Sequence, residues 1–186
     1  MNKAELLDQT IFQRCSYVDI GPEAPSDSDI EKILHSGMSA NDHGNLKPWE
    51  FRVFSGNARA KLGQYFKQHE ELNAGTLKQI DKADTLPLRA PVIICISSKL
   101  RECNIPAHEQ IASGASACQL ITLAADMLGY ACIWRTGKYA TSSSVKQQLG
   151  IEQQDQILGF IYLGSIVEPK QVKRDYYADK VITYSH

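Results

Sequence analysis

The chain has 186 residues, of which 43% are hydrophobic and 22% are charged, and its formal net charge is −1. The composition excludes disordered, collagen-like and low-complexity classes, and the balanced charge excludes a broad basic surface for nucleic acid or membrane. A chain of this length commonly forms one domain and buries enough surface to fold without disulfides or a structural metal. We therefore expect residues 1–186 to form a single domain.

Two further features bear on the compartment. The N-terminal residues lack the apolar run of a signal peptide, and the most apolar long stretch, 114–134, contains Gln119, Thr122 and Asp126. We interpret this stretch as a buried helix and a strand, because a membrane span needs about 20 almost uncharged residues in one element. The five cysteines form no Cys-x-x-Cys pair. This pattern favours reduced thiols, a cytoplasmic protein and no metal ion.

In the first half of the chain, the sequence predicts a helix over 4–13 followed by a turn-rich segment. Ser28 and Glu31 have the spacing of a capping box at the start of the next helix. Residues 50–55 alternate in polarity and predict a strand. The polar stretch 67–85 is expected to be largely helical.

In the second half, a continuous β-branched run at 92–96 predicts a strand buried on both faces. A long helix is expected over 108–128, with strands at 131–135 and 157–163. Helices that alternate with three or four short apolar strands indicate a layered α/β or α+β domain around a central sheet.

The first motif with chemical potential is Arg14-Cys15-Ser16, directly after the opening helix. An arginine and a hydroxyl separated by one residue are able to bind the same phosphate, because the guanidinium supplies forked donors and charge and the hydroxyl adds a hydrogen bond. The alternative is an ordinary solvated pair of surface side chains.

The second motif runs from Ser39 to Trp49 and joins a helix to a strand. Its polar groups, glycine and proline indicate a rigid connector, and loops held by rigid elements often carry sites. The alternative is a loop in which Trp49 only anchors the edge of the core.

The third motif is the strand at 131–135, which ends in the turn Arg135-Thr136-Gly137. Turn amides are able to point at a ligand, and ligands prefer the carboxyl ends of sheet strands. Core packing is the alternative for Trp134. The chain has no Gly-x-Gly-x-x-Gly, Walker A or Gly-x-Ser-x-Gly sequence, so neither a Rossmann nucleotide site, a P-loop nor a nucleophile elbow is indicated.

Taken in chain order, these motifs resemble the nitroreductase family of FMN enzymes, and most of all its short YdjA-type subgroup. The resemblance covers residues 4–165. It rests on Arg-x-Ser, on Ser-Ala-x-x-x-x-Asn-x-x-Pro-Trp-x-Phe, on Gly-Tyr-Ala-x-x-Trp, and on a final Gly159-Phe160-Ile161-Tyr162-Leu163-Gly164. It implies an α+β fold with a central, mainly antiparallel sheet flanked by helices, and a homodimer with FMN at the subunit interface.

The resemblance also assigns the site. Arg14 and Ser16, with the backbone of Cys15, would hold the FMN phosphate and ribityl chain, and the turn after Trp134 would line the flavin. His43 would come from the partner subunit. The full set implied for FMN is Arg14, Cys15, Ser16, Ser39, His43, Trp134, Arg135 and Thr136.

For NAD(P)H the resemblance implies a second set: Ala124, Ala125, Asp126, Met127, Leu128 and Gly129. The residue pattern of this stretch itself indicates a buried helix end, which favours packing over direct contact.

The resemblance raises two points about basic residues, one a departure at Lys47 and the other a phosphate contact that broader family members make after the last strand. Lys47 stands where many members have glutamine, and it either faces the flavin or is solvated. Lys170, Lys173 and Arg174 are candidates for an additional contact to the FMN phosphate.

The expected function is that of an FMN-dependent NAD(P)H oxidoreductase that reduces nitroaromatic or similar electron-poor acceptors by ping-pong hydride transfer. The flavin would carry the chemistry, so no catalytic side chain is expected. One alternative is a flavin-binding or redox-sensing protein with little turnover, because the short loop at 98–107 leaves little chain for a substrate lid. Another is a helical partner-binding module without a ligand.

Overall fold

The computed structural model describes residues 2–172 and 178–185. The helices and strands have the following bounds: α1 Lys3–Leu7, β1 Ile20–Gly21, α2 Asp27–Gly37, β2 Trp49–Ser55, α3 Ala58–Leu72, α4 Leu77–Thr85, β3 Val92–Ser98, α5 Ala107–Met127, β4 Ala131–Arg135, α6 Ser143–Gln148 and β5 Ile157–Ile166. A π-helical turn, Asp8–Phe12, follows α1, and short 3-10 turns occur at His43–Asn45, Leu86–Arg89 and Ala178–Lys180.

The strands form one five-stranded sheet. β3 lies between β2 and β5, while the other edge of β5 pairs with both β4 and β1. All pairings between described strands are antiparallel. The predicted α+β fold with a mainly antiparallel central sheet is therefore confirmed. β1 was not predicted, because two residues that pair with the end of β5 have no periodicity of their own.

Helices cover both faces of the sheet. Ile93 and Cys95 of β3 pack in one cluster with Leu62 and Phe66 of α3, and the same cluster includes residues from α4 and α6. The alternate β3 residues pack in a second cluster with α2 and α5. All seven residues of β3 are buried as a result. Burial on two faces explains why this strand is continuously apolar in sequence.

The start of α2 differs from the prediction. Ser26 is the N-cap, and its hydroxyl accepts a hydrogen bond from the Asp29 N–H at 3.1 Å. Ser28 lies inside the helix, so the predicted capping box of Ser28 and Glu31 is wrong. Both serines are suitable caps by residue type, but only Ser26 has the extended backbone that an N-cap requires.

The opening helix begins with a capping box between Asn2 and Glu5 and then widens into the π-helical turn. The predicted helix over 4–13 is therefore found with a change of pitch. Its large apolar side chains are exposed: Leu6, Leu7, Ile11 and Phe12. The N-terminal segment thus presents apolar surface to its surroundings.

The long helix α5 ends where predicted. Gly129 has a φ of +81°, and its N–H donates to the Asp126 carbonyl at 3.0 Å, while the Tyr130 N–H donates to the Ala125 carbonyl at 2.9 Å. Such a left-handed turn favours glycine and caps the last carbonyls of a helix.

None of the helices in the described part of the chain combines the length and apolar character that a membrane span requires.

Candidate functional site

The Arg14-Cys15-Ser16 segment lies alongside β4. The Tyr17 N–H donates to the Cys132 carbonyl at 3.0 Å, and the side chains of Cys15 and Tyr17 are buried against Ala131. Ser16, between them, is exposed. The segment is therefore fixed along the edge of β4 with its hydroxyl directed away from the core.

The end of α5 contacts this same segment. The Asp126 carboxylate accepts a hydrogen bond from the Cys15 N–H and lies near the Arg14 guanidinium. Burial raises the pKa of Asp126, and the hydrogen bond from Cys15 and the charge of Arg14 oppose this rise only in part. Since Arg14 Nη1 also donates to the Cys15 carbonyl at 3.3 Å, both backbone polar groups of Cys15 are engaged within the protein.

Within 124–129, the segment implied for NAD(P)H, burial changes along the chain. Ala125 is completely buried and Ala124 packs against the core, whereas Met127 and Leu128 are exposed. The alanines therefore contribute packing, and Asp126 joins the segment to Cys15. Contact between this segment and a nicotinamide cofactor stays a prediction.

Trp134 is held firmly by the sheet. Its indole N–H donates to the Leu158 carbonyl at 3.0 Å, and a Cβ at Gly159 would collide with the ring. The ring packs against the core cluster that α2 and α5 share but keeps partial exposure. Both predicted roles are thus compatible with its position, because one part of the ring packs and another remains accessible. After the strand, Thr136 and Gly137 are exposed in the turn.

The connector from Ser39 to Trp49 has an unusual backbone. Gly44, Asn45 and Lys47 have positive φ values of 77°, 55° and 49°. The Asp42 carboxylate accepts a hydrogen bond from the Lys47 N–H at 2.6 Å and stabilises this conformation. Trp49 is 5% exposed, and its indole N–H has no hydrogen-bond partner among the described residues. The connector is therefore a defined loop anchored by Trp49, with Ser39 and His43 exposed on it.

His43 lies at the other end of α5 from Arg14. Its Nδ1 is 2.8 Å from Glu109 Oε2 in the first turn of the helix, whereas Arg14 interacts with Asp126 in the last turn. An α-helix rises about 1.5 Å per residue, so the two contacts are roughly 25 Å apart. One chain does not bring Arg14 and His43 together.

A cavity of about 450 Å³ lies beside the end of β4. It is lined by Phe66, Leu86, Ile133, Trp134, Arg135, Thr136, Lys138, Tyr139, Phe160 and Tyr162. Below it, the buried Glu70 carboxylate accepts hydrogen bonds from Lys138 Nζ and the Tyr139 hydroxyl, both at 2.6 Å. Burial opposes its ionisation, but these two donors hold the pKa of Glu70 below its usual value.

Sequence reasoning missed this cavity and Glu70. The carboxylate lies on a polar helix, and its partners come from a distant turn, so no local pattern indicates the cluster.

Of the three basic residues predicted near the phosphate, Lys170 lies beside the Arg14–Tyr17 segment, with Nζ 5.3 Å from the centre of the Tyr17 ring. Lys173 and Arg174 lie outside the described residues. Across residues 2–172 and 178–185, no group of three or more His, Cys, Asp or Glu side chains is arranged to hold a metal ion.

Comparisons with known proteins agree with the resemblance found in the motifs. The profile of the nitroreductase family matches residues 11–165. The chain is 34% identical over 158 residues to the Escherichia coli K12 protein named "Putative NAD(P)H nitroreductase YdjA", and the match covers 84% of this chain and 86% of that protein.

Two solved structures share the fold. One is a nitroreductase-like family protein from Bacillus cereus, with a TM-score of 0.84, 19% identity and coverage of 97% of this chain and 96% of that one. The other, from Desulfovibrio desulfuricans, is described as a putative nitroreductase in complex with FMN, with a TM-score of 0.75, 21% identity and coverage of 100% and 99%. The motifs, the fold and the sequence match over most of both chains establish that this protein belongs to the nitroreductase family.

Proposed function

We propose that this protein is an FMN-dependent NAD(P)H oxidoreductase that reduces nitroaromatic or similar electron-poor small molecules. The observation that carries the proposal is the common position of two predicted flavin-binding elements on the edge of β4. The Arg14–Ser16 segment lies beside the start of this strand, and the Trp134–Thr136 segment forms its end. The name of the E. coli relative and the FMN complex of the D. desulfuricans protein support the same chemistry.

The residues present fit FMN. Arg14 supplies a partly buried cation and Ser16 an exposed hydroxyl, a donor pair suited to a phosphate. Cys132, which pairs with Tyr17, and Thr136 are separated by roughly 13 Å along the strand, at about 3.3 Å per residue. A phosphate at one end of this edge would therefore leave room for a ribityl chain and a ring toward the turn.

The position of His43 supports a homodimer. Arg14 and His43 interact with opposite ends of α5, so both would reach one flavin only if His43 came from a second chain. A two-fold axis that pairs the α5 helices of two chains antiparallel would bring the Arg14 end of each helix next to the His43 end of the other. The dimer would then have two equivalent flavin sites. The exposed apolar side chains of the N-terminal segment offer additional surface for such an interface.

When bound, FMN would accept reducing equivalents from NAD(P)H and pass them to the acceptor. The protein's own contribution is binding and orientation. Arg14 would hold the phosphate through charge-assisted hydrogen bonds, and Asp126 would keep the Arg14–Cys15 backbone in place. Trp134, fixed by Leu158 and Gly159, would supply a rigid wall beside the ring.

The decisive test combines spectroscopy and turnover. The purified protein is expected to bind FMN in a titration and to show the absorbance of oxidised flavin. With NAD(P)H and a nitroaromatic acceptor, it is expected to turn over many times per flavin. Oxidation that stops after one equivalent would identify a flavin-binding protein instead, and a protein that takes up no FMN would contradict the proposal. Sedimentation at micromolar concentration tests the dimer.

A further inference from the structure

The cavity beside β4 has the size and the walls of a binding site for a small aromatic molecule. Its volume of about 450 Å³ lies within the range of ligand sites in proteins. Phe66 stacks on Tyr139 with ring centres 4.1 Å apart, and it meets Phe160 edge-on at 5.1 Å. The hydrogen bond from the Tyr139 hydroxyl to Glu70 fixes the orientation of this wall. A planar ring would find aromatic surfaces that are already ordered.

Tyr162 brings a polar group to the same cavity. The residue is 3% exposed and lines the cavity, and no hydrogen bond from its hydroxyl is found within the described part of the chain. Burial raises the pKa of Tyr162 to about 12, with Arg135 and Arg89 opposing the rise, so the group is a neutral donor near pH 7.

Arg135 supplies a positive charge that the described residues leave uncompensated. Its guanidinium lies 5.7 Å from the centre of the Tyr162 ring, and it makes no ion pair or side-chain hydrogen bond among residues 2–172 and 178–185. Lys138, the other cation of the cavity, is committed to Glu70 at 2.6 Å. A guanidinium beside aromatic rings is suited to bind a carboxylate through two parallel hydrogen bonds.

We propose that this cavity binds a planar aromatic carboxylate, with the ring against Phe66 and Tyr139 and the carboxylate at Arg135 and the Tyr162 hydroxyl. The aromatic walls select the ring, and the guanidinium with the nearby hydroxyl selects the anion. The preference for an acceptor rests on the proposed function: the site would make aromatic carboxylates the preferred electron acceptors over neutral aromatics of the same shape.

The test compares 4-nitrobenzoate with 4-nitrobenzamide, two probes of similar shape that differ in charge. Binding is measured by calorimetry on the FMN-saturated protein, and kcat/KM with NAD(P)H is measured on the same sample. We expect 4-nitrobenzoate to bind at least about tenfold more tightly, the equivalent of one charge-assisted hydrogen bond. Arg135→Gln is expected to abolish this preference, and Tyr162→Phe to reduce it several-fold.

Two further variants serve as controls. Arg89→Gln removes a positive charge near Tyr162 from a residue outside the cavity lining, and it is expected to preserve the preference. Arg135→Lys keeps the positive charge and is expected to retain part of the preference for 4-nitrobenzoate. Thermal unfolding of every variant identifies any that fails to fold, in which case the volume-preserving Tyr162→Phe decides.

Equal binding of the two probes, or a preference that survives in Arg135→Gln, would overturn the proposal. So would binding of 4-nitrobenzoate to the flavin-free protein but not to the FMN-saturated protein, which would show that the flavin itself occupies the cavity. A protein that takes up no FMN would contradict the proposed function, and the calorimetry on the protein as isolated would still decide whether the cavity binds the anion.

Discussion

Asp126 and Glu70 are both carboxylates withdrawn from solvent, yet their surroundings move their pKa values in opposite directions. At Asp126 burial is the largest influence, and the Cys15 N–H and the charge of the Arg14 guanidinium offset it only in part, so the pKa rises. At Glu70 burial is outweighed by two direct donors, Lys138 and Tyr139, and the pKa falls. The difference shows that donors within hydrogen-bonding distance decide in which direction the pKa of a carboxylate withdrawn from solvent moves.

The largest expected effect tests the Glu70 side of this comparison. Lys138→Met leaves the Tyr139 hydroxyl as the one described hydrogen-bond donor to the buried Glu70 carboxylate, and we expect a loss of about 3 kcal/mol in the free energy of unfolding at pH 7. The loss is expected to shrink in acid, as Glu70 becomes protonated. Urea unfolding at both pH values measures it.

A matched control is Lys32→Met, because Lys32 pairs with Asp29 at 2.8 Å but is largely exposed. Exposed pairs contribute about 0–1 kcal/mol, so this variant is expected to be nearly neutral. Equal losses in the two lysine variants would show that burial of Glu70 has no energetic consequence.

The next largest effect concerns FMN binding by Arg14, which lies near Asp126. Arg14→Ala is expected to weaken FMN binding by about 1.5–3 kcal/mol, through loss of a charge-assisted phosphate contact. Fluorescence titration with FMN measures the change, and Arg14→Lys, which keeps the charge, is expected to lose less. Unchanged affinity in Arg14→Ala would place the phosphate elsewhere.

The smallest expected effect is a difference between Asp126 and Glu70 in how their contributions to stability depend on pH. The folded-state pKa of Asp126 is raised, so its contribution to stability is present at low pH and is lost as the pH rises through that value. The folded-state pKa of Glu70 is lowered, so its contribution is present above its ordinary value of 4.5 and is lost in acid.

We therefore expect Asp126→Asn to change stability by less than about 1 kcal/mol at pH 7 and to become relatively less stable than the parent as the pH falls. Glu70→Gln is expected to be less stable at pH 7 and to approach the parent below pH 4.5. Unfolding curves between pH 3 and pH 8 provide the measurement. Parallel pH profiles for both variants would contradict the assigned directions.

Much of the fold followed from local patterns. The alternation of 50–55, the apolar run of 92–96 and the strand at 131–135 correspond to β2, β3 and β4, and the long helix ends at Gly129 as predicted. Periodicity and glycine positions are properties of short segments, which is why they are readable without a structure. The choice of Ser26 over Ser28 as a cap was not readable in this way, because both are suitable residues.

The sequence by itself determined the family, the central strands and helices, and the identity of the motif residues Arg14, Ser16 and Trp134. Only the tertiary structure decided that Asp126 binds the Cys15 backbone, that His43 lies at the opposite end of α5, and that Glu70, Lys138 and Tyr139 form one cluster. The physical reason is the separation of the contacting residues along the chain. Motifs and periodicity encode what neighbours in the chain do, whereas these contacts join segments that only the packing of helices onto the sheet brings together.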